Sequence, residues 1–201
     1  MGHREDLLEG AKRCLLRKGF VGTTAREIVK ESGTNLASIG YHYGSKDALL
    51  AQAYVALVGE VSEDFDGGAG QKLTAPPGSI ERFEEVYANM VRTMQDPDSI
   101  WRLSMEVVVM GDRIPAVRDH LAAAQREAMS GIIPMFLGGE EPALDSELTG
   151  TAGKFYLTLM MGLIAQWRLD PETATRAEEL TAGLRRVIAA AGENTENTEN
   201  T

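Results

Sequence analysis

From Thr24 to Lys46 the chain spells two short helices around a glycine turn, each with its own start signal. Thr24 followed by Glu27 is a capping box: the hydroxyl takes a free amide of the first turn and the carboxylate reaches back to the cap. A helix is expected to start at Thr24, and Ala25, Ile28 and Val29 then share one face at the spacing of an inward stripe. Ser32-Gly33 stops it, because glycine accepts the left-handed backbone that ends helices, and Asn35 is a good cap for a second helix from Leu36. In that helix Ile39 and Tyr43 point to the core, which leaves Ala37, Ser38, Tyr41 and His42 for other faces. Two helices this close around a turn are how a helix-turn-helix reader of DNA is written. Many all-helical proteins that never meet nucleic acid share the pattern, so spacing alone leaves both readings open. Ser45 caps the next helix and puts Lys46 in its first turn, where a cation opposes the helix dipole and gains its use from a nearby phosphate.

The wider segment from about Leu7 to Leu50 resembles the TetR family of transcriptional regulators. The resemblance is carried by Leu7-Leu8, Ala11, Lys18-Gly19-Phe20, Thr23-Thr24, Ile28, the Gly33 turn and the run from Tyr41 to Leu49. It implies an all-α chain with a three-helix N-terminal domain holding the helix-turn-helix, and a larger C-terminal helical domain for ligand binding and dimerisation. It also implies that Thr24 and Arg26 approach DNA, with Arg26 in reach of a base edge. Leu36, Ala37 and Ser38 then stand where the recognition helix enters the major groove, the serine to hydrogen-bond and the apolar pair to meet a thymine methyl. Tyr41, His42 and Lys46 match phosphate-holding positions, which set register rather than sequence. The chain departs from the family at Gly40, where an aromatic is frequent, and at Thr34-Asn35 in place of Val-Ser. Gly40 removes a contact and costs about 1 kcal/mol of helix propensity relative to alanine.

A formal charge of −10 argues at first against a nucleic-acid partner. The charge is divided, however: residues 1–50 hold eight Lys or Arg against six Asp or Glu, net +2, and the remainder twelve against twenty-four, net −12. The acidity belongs to the second part. The single cysteine, Cys14, lies among Leu7, Leu8, Ala11 and Leu15 and reads as a small buried hydrophobe. With no CxxC and only His3, His42 and His120, scattered, no metal site or cofactor is expected. A charged N-terminus without an apolar stretch, and a longest apolar run of only Phe155 to Trp167, predict a cytoplasmic protein with no membrane partner.

Three parts are expected: a DNA-binding domain over 1–50, an effector-binding and dimerisation domain over 51–192, and a disordered polar tail over 193–201, where Glu-Asn-Thr repeats offer nothing to bury. A helix from Ser45 to about Phe65 joins the first two, followed by a Gly- and Pro-rich loop to Ser79. Five more helices are expected at about 79–95, 98–111, 115–137, 145–169 and 171–191, from caps or prolines at Ser79, Asp98, Pro115, Asp145 and Pro171. Gly131 and Pro134 are expected to kink or end the third.

Two faces of the C-terminal part carry functional expectations. Met90, Met94, Trp101, Met105, Met129, Ile133 and Phe155, with Val108, form a set suited to a pocket for an apolar or amphipathic effector, and equally to plain core. Arg102, Glu106 and His120 are its candidate polar contacts. Gly153, Tyr156, Met160, Leu163, Trp167, Leu180, Leu184, Val187 and Ile188, with Ala152 and Gly183, lie at helical spacing on the last two helices. In two copies they would build a four-helix homodimer interface, and two half-sites about 34 to 36 Å apart on a palindromic operator require a dimer. Packing within one subunit would use the same stripes. No nucleophile elbow, phosphate loop, zinc spacing or dinucleotide fingerprint occurs, so a ligand-responsive repressor is favoured over a helical enzyme or a binding module without a DNA role.

Overall fold

The computed structural model describes residues 2–67, 72–96 and 99–199, with the side chains of 61–67, 113, 116 and 193–199 left aside. Every regular element among the described residues is helical. In chain order they are α1 (His3–Gly22), α2 (Ala25–Ser32), α3 (Leu36–Tyr43), α4 (Lys46–Gly67), α5 (Ile80–Gln95), α6 (Ser104–Arg113), α7 (Pro115–Gly131), α8 (Ile133–Leu137), α9 (Lys154–Leu169) and α10 (Ala177–Glu199). A 3₁₀ turn, Ile100–Leu103, leads into α6, and a π-helical turn, Thr149–Gly153, leads into α9.

The first three helices pack around Leu7, Ala11, Leu15, Phe20, Ile28 and Ile39, with Leu49 and Leu50 supplied by the start of α4. α4 packs on α1 and α3 and also on α7, so one helix belongs to both parts. The C-terminal core joins Phe83, Val86, Tyr87, Met90 and Met94 of α5 to Trp101, Leu103, Ile133, Phe136, Leu163 and Ile164. Its centre is aromatic: Phe136 stacks on Tyr156 at 3.9 Å, and the fully buried Tyr87 donates its hydroxyl to the Tyr156 carbonyl at 2.9 Å. Burying a ring of this size stabilises by about 1.5–3 kcal/mol, and the hydroxyl costs nothing once it has an acceptor.

Several starts form as the caps dictate. Ser79 Oγ accepts the Arg82 N–H at 3.1 Å, and Ser45 Oγ that of Ala48 at 3.1 Å. The expected helix over 115–137 divides into α7 and α8 at Gly131 and Ile132, one turn before Phe136 enters the core. The start expected at Asp98 lies outside the described residues. The start expected at Asp145 falls one residue later, where Ser146 Oγ accepts the Thr149 N–H at 3.1 Å, and a π turn intervenes before α9.

Two expectations are corrected. Asp170-Pro171-Glu172 does not open a helix, because the Asp170 carboxylate takes the Thr173 hydroxyl at 2.6 Å and the Glu172 N–H at 3.2 Å, closing a local turn. The Trp167 indole N–H then holds the Thr175 carbonyl at 3.1 Å, and the helix begins at Ala177. The backbone of 193–199 is also helical rather than disordered, since α10 continues to Glu199. Extending an existing helix adds one bond per residue fixed and needs no new nucleus. Residues 200–201 of the expected tail are outside the described residues.

Candidate nucleic-acid interface

The reading motif is held by its caps. Thr24 Oγ1 accepts the Glu27 N–H at 3.3 Å and the Glu27 carboxylate accepts the Thr24 N–H at 2.9 Å, so the expected capping box is present. Lys18 pairs with the same carboxylate. The Lys18 ammonium, followed by the backbone and hydroxyl of Thr24, holds the Glu27 carboxyl down to about 2. Gly33 ends α2 with φ +68°, a conformation costly for any side chain bearing a Cβ. Two residues later Asn35 Oδ1 accepts the Ser38 N–H at 3.1 Å and starts α3. Ile39 anchors α3 in the core, and the Tyr43 hydroxyl donates to the Arg4 carbonyl at 2.7 Å, tying its end to the start of α1.

This anchoring fixes which residues face outward. Leu36 is 51% exposed and Tyr41 86%, and Ala37 and Gly40 are exposed beside them. A Cβ built on Gly40 meets nothing within 4 Å, so this stretch of α3 is bare backbone toward the outside. The His42 ring is half-buried and meets the Tyr41 ring edge-on at 4.8 Å. Ser38 departs from expectation: it is buried at 9% exposure, because it precedes Ile39 on the flank of α3 that turns inward. Lys46 is half-buried, donates to the Thr23 carbonyl at 3.2 Å and pairs with Asp47 at 3.1 Å.

Charge pairing sorts the cations of this domain. Arg13 and Arg17 hold Glu31 at 2.8 and 2.6 Å, which keeps that carboxyl below the usual range, Arg17 contributing most. Lys12 bridges Glu9 and Glu60. Arg26 and Lys30 have no carboxylate partner among the described residues, and both are exposed. Four residues apart, they share one face of α2. Thr24 is exposed at the start of the same helix. The sequence reading named Arg26 and passed over Lys30, although the i, i+4 spacing marked the pair.

The C-terminal candidates divide. Met90, Met94, Trp101 and Ile133 are buried in continuous core, Met105 and Met129 are half-buried, and Phe155 is 45% exposed. Phe155 lines a surface hollow of about 160 Å³, shared with Ile80, Phe83, Tyr156, Leu184 and Ile188. Met90 and Met94 of α5 pack with Trp101 and Ile133 in the core of the C-terminal part. Among the candidate polar contacts His120 is exposed, while Glu106 is bound to the backbone of α1.

The expected dimer set is likewise split. Gly153 is pressed so closely on α7 that a Cβ would lie 2.1 Å from the Met129 carbonyl oxygen, and Leu163 and Trp167 are buried in the same subunit. Tyr156, Met160, Leu180 and Leu184 are half-buried, and Val187 and Ile188 are exposed at 67% and 59%. Among the described residues no group of three or more His, Cys, Asp or Glu side chains gathers to hold a metal, and no helix is long and apolar enough to cross a membrane.

Residues 7–53, which are α1 to α3 and the first turns of α4, match the model of the bacterial regulatory proteins of the tetR family. This N-terminal segment is therefore a TetR-family domain. The TetR-family segment is 36% identical over 61 residues to the HTH-type transcriptional repressor AcnR of Corynebacterium glutamicum, covering 29% of this chain and 32% of that repressor. The match thus spans about a third of AcnR's length. Similarity to the HTH-type transcriptional regulator PksA of Bacillus subtilis is 23% over 168 residues, covering 84% of this chain and 80% of PksA. The fold resembles that of the multidrug binding protein EbrR, crystallised with imidazole, with a TM-score of 0.65 and 19% identity over 91% of this chain and 88% of EbrR.

Proposed function

We propose that this TetR-family regulator binds a palindromic operator as a homodimer, represses from it, and releases it when a small-molecule effector occupies the C-terminal domain. The observation that carries the reading is the outer surface of the motif. Leu36, Ala37 and Tyr41 stand exposed on α3, beside an α2 face that carries Arg26 and Lys30 free of carboxylates. Cations that are not spent on internal pairs are available to phosphates. Leu36 and Ala37 suit thymine methyl groups, and Arg26 suits a guanine edge or a phosphate. Ser38, with 9% exposure, has a smaller part in readout than its position in the sequence implied.

The homodimer reading is supported by apolar surface on the last two helices. Phe155, Val187 and Ile188 are large and exposed, Phe155 and Ile188 lining one hollow, and an apolar face of this kind is what a second copy covers. Release by an effector would be a population shift: the ligand must bind the arrangement that cannot hold DNA better than the one that can. AcnR is named a repressor and EbrR a multidrug binding protein, which supports repression and effector binding for this chain.

The test is a binding titration of the full chain against the DNA upstream of its own gene, with an unrelated fragment as control. Specific, salt-sensitive binding of one dimer per site is expected. Equal affinity for both fragments at every salt concentration would overturn operator recognition, and a monomer on the DNA would overturn the dimer.

A further inference from the structure

We propose that α3 reads its operator through the C5 methyl group of a pyrimidine, so that 5-methylcytosine serves it as well as thymine and cytosine methylation within a half-site changes how tightly the regulator binds. The inference rests on the reading proposed above for the placement of α3 in the major groove. What α3 can do there follows from the side chains it presents.

In a helix-turn-helix, residues at the N-terminal end of the second helix meet base edges. In this chain the outward residues there are Leu36, Ala37 and Gly40, all exposed. Gly40 lies three and four residues after the other two, so the three form one continuous strip. None of them carries a hydrogen-bonding side chain. The polar residues that flank the strip are committed elsewhere: the Thr34 and Ser32 hydroxyls share a bond of 2.8 Å, Asn35 Oδ1 accepts the Ser38 N–H at 3.1 Å, and Ser38 itself is buried. An asparagine holds adenine with both ends of its amide, and Asn35 has spent one end on the cap of α3. Tyr41 adds an exposed phenol at the far end of the strip. A phenol both donates and accepts, so its bond to a base does not by itself choose between base pairs.

An apolar strip in the major groove distinguishes one feature, the methyl group. Thymine carries it at C5 and cytosine does not, whereas the donors and acceptors of either base pair find no partner on Leu36, Ala37 or Gly40. Gly40 favours a close approach: a Cβ built there meets nothing within 4 Å, so its absence leaves open space on the outer side of the helix. 5-Methylcytosine bears the same methyl on the same ring atom as thymine and presents it to the same Leu36 surface.

The experiment uses the full chain and the DNA upstream of its own gene, with the bound segment located by footprinting and each thymine in it replaced singly by deoxyuridine, which removes the C5 methyl and nothing else. At one or more positions the affinity is expected to fall about fourfold for the methyl lost, and roughly fifteenfold when the matching positions of two half-sites are changed together. Each such position is then made in four forms, T·A, U·A, 5-methylcytosine·G and C·G. Affinity is expected to follow the methyl, with the two methylated pairs close to each other and above the two unmethylated ones. Leu36→Ala, a change at a half-exposed surface position, is expected to bring the ratio of thymine to deoxyuridine affinity toward one. Affinity that follows the base pair whatever its methylation, no loss at any deoxyuridine, or a ratio that Leu36→Ala leaves unchanged would each overturn methyl readout. Specific binding of the upstream fragment without methyl dependence removes this inference alone, and failure to prefer the upstream fragment over unrelated DNA removes operator recognition with it.

Discussion

The carboxylate of Glu106 on α6 accepts the backbone N–H of Phe20 at 2.8 Å, at the point where α1 breaks. Gly19 makes that break with φ +71°, and its missing side chain gives the carboxylate room: a Cβ there would lie 2.8 Å from both carboxylate oxygens. From Gly19 the bonding continues into the motif. The Gly19 carbonyl accepts the Thr23 hydroxyl at 2.7 Å, the Thr23 carbonyl accepts Lys46, and Thr24 next along the chain caps α2. Glu106→Ala is expected to cost about 1–3 kcal/mol by leaving a part-buried N–H unpaired, with Glu106→Gln recovering part of it through its amide oxygen. Urea unfolding of the two variants checks the order.

Thr24→Ala removes the hydroxyl of the capping box and is expected to cost about 1 kcal/mol. The partner carboxylate adds a pH signature. Glu27 in the folded chain titrates near 2, below the ordinary carboxyl value of 4.5. A depressed folded value means that its stabilisation is present above the unfolded value and fades as pH falls from about 4.5 towards 2. The difference in urea midpoint between the wild type and Glu27→Gln is therefore expected to be constant near neutrality and to shrink below pH 4.5. A difference that grows with acid would contradict the assigned bonds.

Tyr41→Ala is expected to weaken DNA binding while leaving the melting temperature nearly unchanged, because the side chain is 86% exposed. A fluorescence-anisotropy titration set beside a thermal melt separates the two effects. Ile39→Ala is the complementary control. With 4% exposure it is expected to lose about 2–5 kcal/mol of stability.

Gly153→Ala is expected to destabilise the folded chain by about 1–3 kcal/mol or more, since the new Cβ meets the Met129 carbonyl at 2.1 Å. Its effect belongs to the subunit core and not to an interface between copies. Val187→Glu is expected to act in the opposite way, shifting the proposed dimer toward monomer in analytical ultracentrifugation while leaving the subunit folded, because Val187 is 67% exposed.

Local signals were the ones legible in the sequence. The Thr24–Glu27 box, the Gly33 stop, the Asn35 cap and the caps at Ser45 and Ser79 each act within a few residues, and each formed as read. What the sequence could not show depended on distant partners. A stripe such as Gly153, Leu163 and Trp167 has the same spacing whether it packs on α7 or on a second chain, and only the Met129 carbonyl and the Thr175 loop decide. Asp170 and Pro171 looked like a helix start until the Asp170 carboxylate was found holding Thr173 instead. Ser38 shows the same limit within the motif. Its place on α3 was readable, but the small rotation that buries it is set by Ile39 and Tyr43 in the core. Lys30 was visible in the sequence, yet its freedom from carboxylates emerged only when Arg13, Arg17 and Lys18 were seen to occupy Glu31 and Glu27.

The most direct measurement is the salt dependence of binding to the chain's own upstream DNA, for the wild type, Arg26→Ala and Lys30→Ala. Linear fall of log K with log salt is predicted, with each substitution that removes a phosphate contact lowering the slope by about 1. A purified protein that ignores the upstream fragment at low salt, or binds it with no salt dependence, would contradict the assignment of this surface to DNA.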